Sequence, residues 1–416
     1  MKPIEFETFL VGGAVRDELL GRPVADRDWV VIGASPEALL NLGFQQIGQE
    51  FPCYLHPETK EEYALARTEK KSGRGHTGFV CEFGPEITLE EDLSRRDLTI
   101  NAIAKTEDGN YIDPFGGMND LDNRLLKHVS DAFVEDPLRV LRVARFAARY
   151  AHLGFTVHPD TLALMSQLVE EGELESLTPE RIWKELSRAL TESKPSKFFT
   201  VLRACGALKI ILPEVDCLFG VPQPPQHHPE VDTGDHVMMS VDLARKKFDN
   251  LIVTWAVLLH DLGKGTTPKD EWPKHIKHEI NGVPLVRAVS ERLKVPKDFR
   301  TLAELVAEHH LKCHILPEMR PGSVLKLLEA MDTFRRPQRL PLFVQACEAD
   351  AKGRLGADER DYPNGEILIS CGQAAANVDI KPLLENGYKG LKLAEQIRQL
   401  RLAAISETLA LTKGKH

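Results

Sequence analysis

Phe9-Leu10-Val11-Gly12-Gly13-Ala14-Val15-Arg16-Asp17 reads as an apolar strand, a glycine pair and the opening of a helix. Glycines at such a turn let backbone N–H groups approach a triphosphate closely, and the helix N-terminus favours its charge. Arg16 falls one turn into the helix, within reach of the same phosphates. A glycine pair alone also serves ordinary strand-to-helix corners, so a second signal is needed. Asp26-Arg27-Asp28-Trp29-Val30-Val31-Ile32 supplies it, with two acids running into a β-branched strand. Alternation puts Asp26 and Asp28 on one face. Two like charges there repel unless a cation joins them. Mg2+ takes one or two carboxylates together with substrate phosphate oxygens. The expected chemistry is two-metal phosphoryl transfer onto a ribose 3′-hydroxyl with loss of pyrophosphate. Glu62, ahead of the strand-like Tyr63-Ala64-Leu65-Ala66-Arg67, is a candidate third carboxylate, although a plain surface acid is the simpler reading.

Outward from this segment, the first ~120 residues mix short β-rich runs with glycine turns, which suits an α/β or α+β domain. From Pro137 the pattern turns helical. Leu138, Leu141, Ala144 and Ala148 recur at helical spacing, as do Leu162, Met165, Leu168 and Val169. Thr178-Pro179-Glu180 is a helix start, with Thr as cap and Pro in the first turn. Gly220–Pro229 contains four prolines and reads as a linker. A second helical block follows to about Gly353, and the tail from Asp361 is also helical. A chain of 416 residues is too long for one core, and 42% apolar residues suffice for globular packing. No apolar run approaches the ~20 residues of a membrane span. The N-terminus lacks a signal-peptide pattern. The seven cysteines form no CxxC pair and read as reduced, buried thiols of a cytoplasmic protein. A net charge of −9 argues against an overall basic coat but leaves local RNA-binding surfaces open.

One such surface is the series Arg139, Arg142, Arg145 and Arg149, a stripe at three-to-four spacing. Arginine suits phosphate through its planar fork; a solvated basic helix face is the plain alternative. Asp136 and Arg139, three apart on a helix, make neighbouring side chains. Together they present an acceptor and a fork of donors. Cytosine and adenine both pair an exocyclic amine with a ring-nitrogen acceptor, so this edge would accept both and reject uracil and guanine. Arg67–Gly78, rich in Gly and Lys, reads as a mobile basic loop.

These motifs, with Arg95-Arg96-Asp97-Leu98-Thr99-Ile100-Asn101-Ala102, Asp113-Pro114-Phe115-Gly116-Gly117 and Glu135-Asp136-Pro137-Leu138-Arg139, resemble the class II tRNA nucleotidyltransferase / poly(A) polymerase family of the polymerase-β superfamily. The resemblance covers nearly the whole chain, least securely after Asp361. It implies an α+β fold: a polymerase-β-like head (1–125), an all-α neck and body (126–225), a helical domain (226–355) and a helical tail (356–416). It implies Mg2+ on Asp26 and Asp28 as catalytic residues. Gly13 and Arg16 would contact the triphosphate, and Arg96 and Asp97 the nucleotide sugar. Asp136 and Arg139 would meet the base of CTP or ATP, with Arg142 and Arg145 nearby. The implied reaction is template-independent addition of C, C and A to tRNA, and in this family a flexible head loop helps the change from C to A.

After the prolines, Asp235-His236, Leu258-Leu259-His260-Asp261-Leu262-Gly263-Lys264, His278-Glu279, His309-His310 and Asp350 follow one another. A lone histidine is usually a satisfied core or surface residue, but His-Asp before Leu-Gly-Lys is not a lone histidine. The order resembles the HD phosphohydrolase superfamily, as in bacterial CCA-adding enzymes that carry an HD domain. It implies His236, His260, Asp261 and Asp350 as metal ligands, with His278 and His310 as second-site or phosphate-binding support. Imidazole with carboxylate suits Ni2+ or another transition metal better than Mg2+, and such an ion lowers the pKa of an attacking water. Leu311 stands where some relatives have Asp, which puts a second metal in question. His227, His228, His275 and His314 read as bystanders. The substrates expected of this domain are 2′,3′-cyclic phosphates and 2′- or 3′-phosphates on RNA ends or nucleotides. The partners implied are tRNA, ATP and CTP, with no membrane, for a monomer or homodimer. Rival readings are a poly(A) polymerase, a partial CC- or A-adding enzyme, and an HD hydrolase of signalling nucleotides with a sensor head.

Overall fold

The computed structural model describes residues 6–24, 26–47, 53–71, 79–226 and 228–413. Its contacts separate the chain into two compact units, 1–186 with 197–211, and 187–196 with 212–416.

The first unit is built on strands β1 (Glu7–Val11), β2 (Asp28–Ile32), β3 (Gln45–Ile47), β4 (Cys53–Leu55), β5 (Glu62–Leu65), β6 (Arg67–Lys71), β7 (Phe79–Phe83), β8 (Ala104–Lys105) and β9 (Tyr111–Ile112). Seven of them form one mixed sheet in the order β3-β4-β5-β2-β1-β8-β9. Val30 packs with Phe9, Val11 and Ala104 on one face, while Val31 packs with Leu39, Tyr54 and Leu65 on the other. A central strand buried on both faces reads as a continuous apolar run, and β2 does. The register is what matters for function. Asp28 begins β2 opposite Val11, the last residue of β1 before the glycine turn, and on its other side opposite Glu62, the first residue of β5. Three sequence-distant signals therefore meet at one end of the sheet. Strands β6 and β7 form a separate hairpin. Of the loop expected over Arg67–Gly78, residues 67–71 are strand and 72–78 lie outside the described residues.

Asp113-Pro114-Phe115-Gly116-Gly117 proves to be a structural corner. The Asp113 carboxylate accepts from the N–H groups of Gly117 and Met118 at 2.7 and 2.8 Å, capping the Gly117–Asp122 helix. A Cβ on Gly117 would lie 2.2 Å from the Thr99 carbonyl oxygen, so glycine is required there. The expected helices form at Leu138–Tyr150, Pro159–Glu170 and Pro179–Ala189.

The second unit is helical. The helix Leu251–Leu259 is buried from Val253 onward and packs against Thr233–Phe248, Lys297–His314 and Arg339–Lys352. Pro363–Ala376 and Gly390–Lys413 form the expected helical tail. Gly220–Pro229, expected as a linker, is instead packed into this unit. Val221 and Gln223 are buried, Pro222 pairs with Asp232, and the Pro222 carbonyl accepts from His275. Prolines stop helices there, but apolar and polar anchors between them fix the segment. Among the described residues no helix is long and apolar enough to cross a membrane.

Candidate active sites

In the head, the site begins at the β1–helix turn. Gly12 takes φ +70°, a conformation that favours glycine. A Cβ there would touch the Arg96 guanidinium at 3.0 Å, so Arg96 lies directly against the turn. Arg96 is held by Asp92, which also binds Arg95 and is itself fully buried. Asp28 is exposed at the start of β2. Desolvation raises the pKa of its carboxyl; Glu62 and Asp26 raise it further, while Arg96 opposes them. Three acids thus share one field, an arrangement that a divalent cation relieves. Asp26 and Asp28 are the two acids expected from the sequence to share a cation. The shared field also turns Glu62 from a plain surface acid into a member of the cluster. Asp26 lies ahead of β2 and outside the strand, so strand alternation is not what brings it near Asp28.

Arg16 occupies its expected helical turn but lies beneath the surface. Its guanidinium, 4% exposed, binds Asp17 and Asn101 and lies against Phe146 and Tyr150. It supports the turn from below, 3.3 Å from where a Gly13 Cβ would sit. Asp97 is buried and accepts from Asn101 and from Arg142 at 2.7 Å. Burial works against its charge, but Arg142 and Asn101 outweigh it and hold the carboxyl down at about 2.

The expected placement of Asp136 and Arg139 on one helix needs correction. Asp136 is extended and precedes the helix, which starts at Leu138. Its carboxylate accepts from the Leu138 N–H and pairs with Arg181 at 2.9 Å. Arg139 is buried, and its fork donates to the carbonyls of Ala132 and Arg95. Pro137 explains the miss: it shifts the helix start past Asp136. The arginine series is also not a bare stripe. Arg142 pairs with Asp97, Arg145 with Glu185 at 2.6 Å, and Arg149 with Asp17 at 3.2 Å. Periodicity exposes the row but not the acids that other elements bring to it. Arg181 and Glu185, four apart after a readable helix start, were the available signal.

In the second unit the histidines converge. His236 Nε2 lies 3.1 Å from Asp350 Oδ1 and 4.0 Å from Asp261 Oδ2. His260 Nε2 lies 3.6 Å from Asp350 Oδ1 and 3.2 Å from Asp261 Oδ2. The other Asp261 oxygen lies 3.4 Å from His278 Nε2 and 3.7 Å from His310 Nε2. Asp261 thus forms one ligand triad with His278 and His310, and its other oxygen faces His236 and His260, which form another with Asp350. Leu311, whose identity put the second one in question, is 39% exposed, and His310 reaches the triad without it. The Nδ1 atoms of His260, His278 and His310 each lie against a backbone carbonyl, at 2.7 to 3.0 Å. Donation there leaves Nε2 as the ligand atom. His260 Nε2, His278 Nε2 and Asp261 Oδ1 are buried with no hydrogen-bond partner. Orphaned buried acceptors of this kind fit metal ions.

Two supposed bystanders are part of the site. His314 binds the second Asp350 oxygen at 2.6 Å and Tyr362 at 3.0 Å. His228 shares the Glu230 carboxylate with His236, at 3.0 and 3.1 Å. His275 is a structural residue, bound to Thr267 and the Pro222 carbonyl. His227 lies outside the described residues. Lys264 binds Asp261 and Gln223, both at 2.6 Å. The thiols are less uniformly buried than expected: Cys217 is exposed and Cys53 half-buried.

Residues 8–127 match the Poly A polymerase head domain family, residues 154–218 the probable RNA and SrmB-binding site of polymerase A, and residues 233–336 the HD domain family. These families account for divalent-metal chemistry at both centres. A multifunctional CCA protein of Pseudomonas aeruginosa is 58% identical, over 96% of this chain and 97% of its own. One from Alkalilimnicola ehrlichii is 54% identical over 96% and 97%. Among solved structures, a CCA-adding enzyme in an apo form superposes with a TM-score of 0.66 at 20% identity, over 99% of this chain and 92% of that one. A Thermotoga maritima CCA-adding enzyme complexed with tRNA gives 0.59 at 20% identity, over 98% and 92%. Shared motifs, shared architecture and high identity over nearly the full length agree, and the chain belongs to the multifunctional CCA protein family.

Proposed function

We propose that this chain adds C, C and A in turn to the 3′ end of tRNA from CTP and ATP, releasing pyrophosphate. The single observation that carries the reading is the register that sets Asp28 between the Gly12-Gly13 turn and Glu62. Asp26 and Asp28, with Glu62, would hold Mg2+, which when bound makes the terminal 3′-hydroxyl more acidic and offsets the charge of the leaving pyrophosphate. The chain's own groups do the rest. Backbone N–H groups at Gly12 and Gly13 receive the triphosphate, and Arg96 lies against the same turn to bind its oxygens. Asp97 holds Arg142 beside them. Asp136, Arg139 and Arg181 form the candidate base edge; Asp136 and Arg139 would exchange their present partners for the Watson–Crick edge of C or A. The place of work proposed is the cytoplasm, in keeping with six free cysteines among the described residues.

For the second unit the reading is hydrolysis of 2′,3′-cyclic phosphates and terminal phosphates at RNA ends or on nucleotides, with Ni2+ or another transition metal on His236, His260, Asp261 and Asp350. Such an ion, when bound, supplies an acidified water as nucleophile. His278 and His310 face the other oxygen of Asp261 and support the same centre. The two activities separate by mutation. Asp28→Asn should abolish nucleotide addition and spare cyclic-phosphate hydrolysis, and the His260→Ala, Asp261→Ala pair should do the reverse. Loss of both activities in either variant would refute the assignment of one reaction to each centre.

A further inference from the structure

Beside the histidine cluster lies a cavity of about 200 Å3, walled by Gln226, Pro229, Arg354, Leu355 and Arg360 among others. That is well above the roughly 10–15 Å3 of such space that one water needs. Two of its lining side chains are guanidinium groups, and no acidic side chain lines it among the described residues. Arg354 also reaches back to the metal cluster: its Nη2 lies 3.6 Å from Asp350 Oδ1. That oxygen is the one facing His236 and His260. The wall is fixed in place, because the Leu355 N–H donates to Glu230 at 3.3 Å, and Glu230 in turn holds His228 and His236. A positive cavity thus adjoins the proposed phosphohydrolase centre through one arginine common to both.

We infer that this cavity is an anion subsite, in which Arg354, with Arg360 in the same lining, holds the phosphate group of the molecule hydrolysed or released at the adjacent centre. The chemistry is that of a planar fork meeting tetrahedral phosphate oxygens. An anion on a metal ion held by Asp350 Oδ1 would lie within reach of the Arg354 fork. Arg360, more exposed, adds a second positive charge to the lining. The subsite rests on the phosphohydrolase reading, and the test keeps the two apart. The full chain is titrated with Ni2+, and the loaded protein then with inorganic phosphate, by calorimetry. Arg354→Ala should weaken phosphate binding about tenfold or more, as loss of a charge-assisted hydrogen bond implies, with Ni2+ affinity unchanged. Arg354→Lys should fall between, keeping charge but losing the fork, and Arg360→Ala should weaken binding about twofold to threefold, as a more exposed charge implies. Nickel binding with phosphate affinity indifferent to Arg354 would overturn the subsite alone. A parallel loss of nickel affinity in Arg354→Ala would make the residue a brace for Asp350 and also overturn it. Failure of the unaltered chain to bind nickel, and likewise manganese, cobalt and iron(II), would overturn the phosphohydrolase reading, and the subsite with it.

Discussion

Asp28 concentrates the account at the scale of one residue. Its carboxyl is pushed up by desolvation and by Glu62 and Asp26, so the cluster is strained when no cation joins it. Asp28→Asn should therefore lower nucleotide addition by about a thousandfold, several kcal/mol of transition-state stabilisation. It should leave the melting temperature of the magnesium-free protein unchanged or slightly raised. A drop in melting temperature would instead give Asp28 a structural role. Gly117 is the opposite case, a motif residue whose task is packing. Gly117→Ala brings a methyl against the Thr99 carbonyl and should cost about 1–3 kcal/mol in denaturant unfolding. Both residues stood out in the sequence for the same reason, membership of a motif. Only the register of β1, β2 and β5 separates the one set in an acid cluster beside the glycine turn from the one that turns a corner.

Among elements, the helix Leu138–Tyr150 shows what periodicity can and cannot convey. Its arginine spacing was readable, but its partners come from elsewhere: Asp97 after the Leu89–Ser94 helix, Asp17 after the glycine turn, and Glu185. Sequence spacing reports one face of an element and is silent about what another element lays on it. The Asp97–Arg142 pair carries a pH signature. Its folded pKa, about 2, lies below the ordinary 3.8, so its stabilisation is complete above pH 3.8 and lost as pH falls through about 2. The shift corresponds to about 2 kcal/mol. The unaltered chain should lose melting temperature over that window, and Asp97→Asn should start lower and show a flatter dependence there. A similar slope in both would remove Asp97 from the explanation. The histidine cluster was more legible, because His-Asp in sequence marks two candidate ligands at once at the end of a buried helix. His314 and Glu230 were missed because nothing in their own neighbourhoods marks them; they matter through Asp350 and His236. Loading the second unit with Ni2+ at a thousandfold its dissociation constant should stabilise it by about 4 kcal/mol, reversed by a chelator. No shift in its melting temperature would count against a metal centre there.

For the molecule as a whole, the acid cluster of the head and the histidine cluster belong to different compact units. The expected architecture of a β-containing head followed by helices was legible from where strand alternation gives way to helical spacing. The Pro-rich segment was not, since prolines exclude helix without saying whether the chain is loose or anchored. The activity proposed for the head is ordered, self-limiting addition at a tRNA end. Three transcripts of one tRNA, ending at the discriminator base, at C and at CC, would be incubated with Mg2+ and with CTP, ATP or both, and their 3′ ends read by mass. With both nucleotides the account predicts addition of CCA, CA and A respectively, and then arrest. An open-ended run of A, or no extension of any transcript, would contradict it.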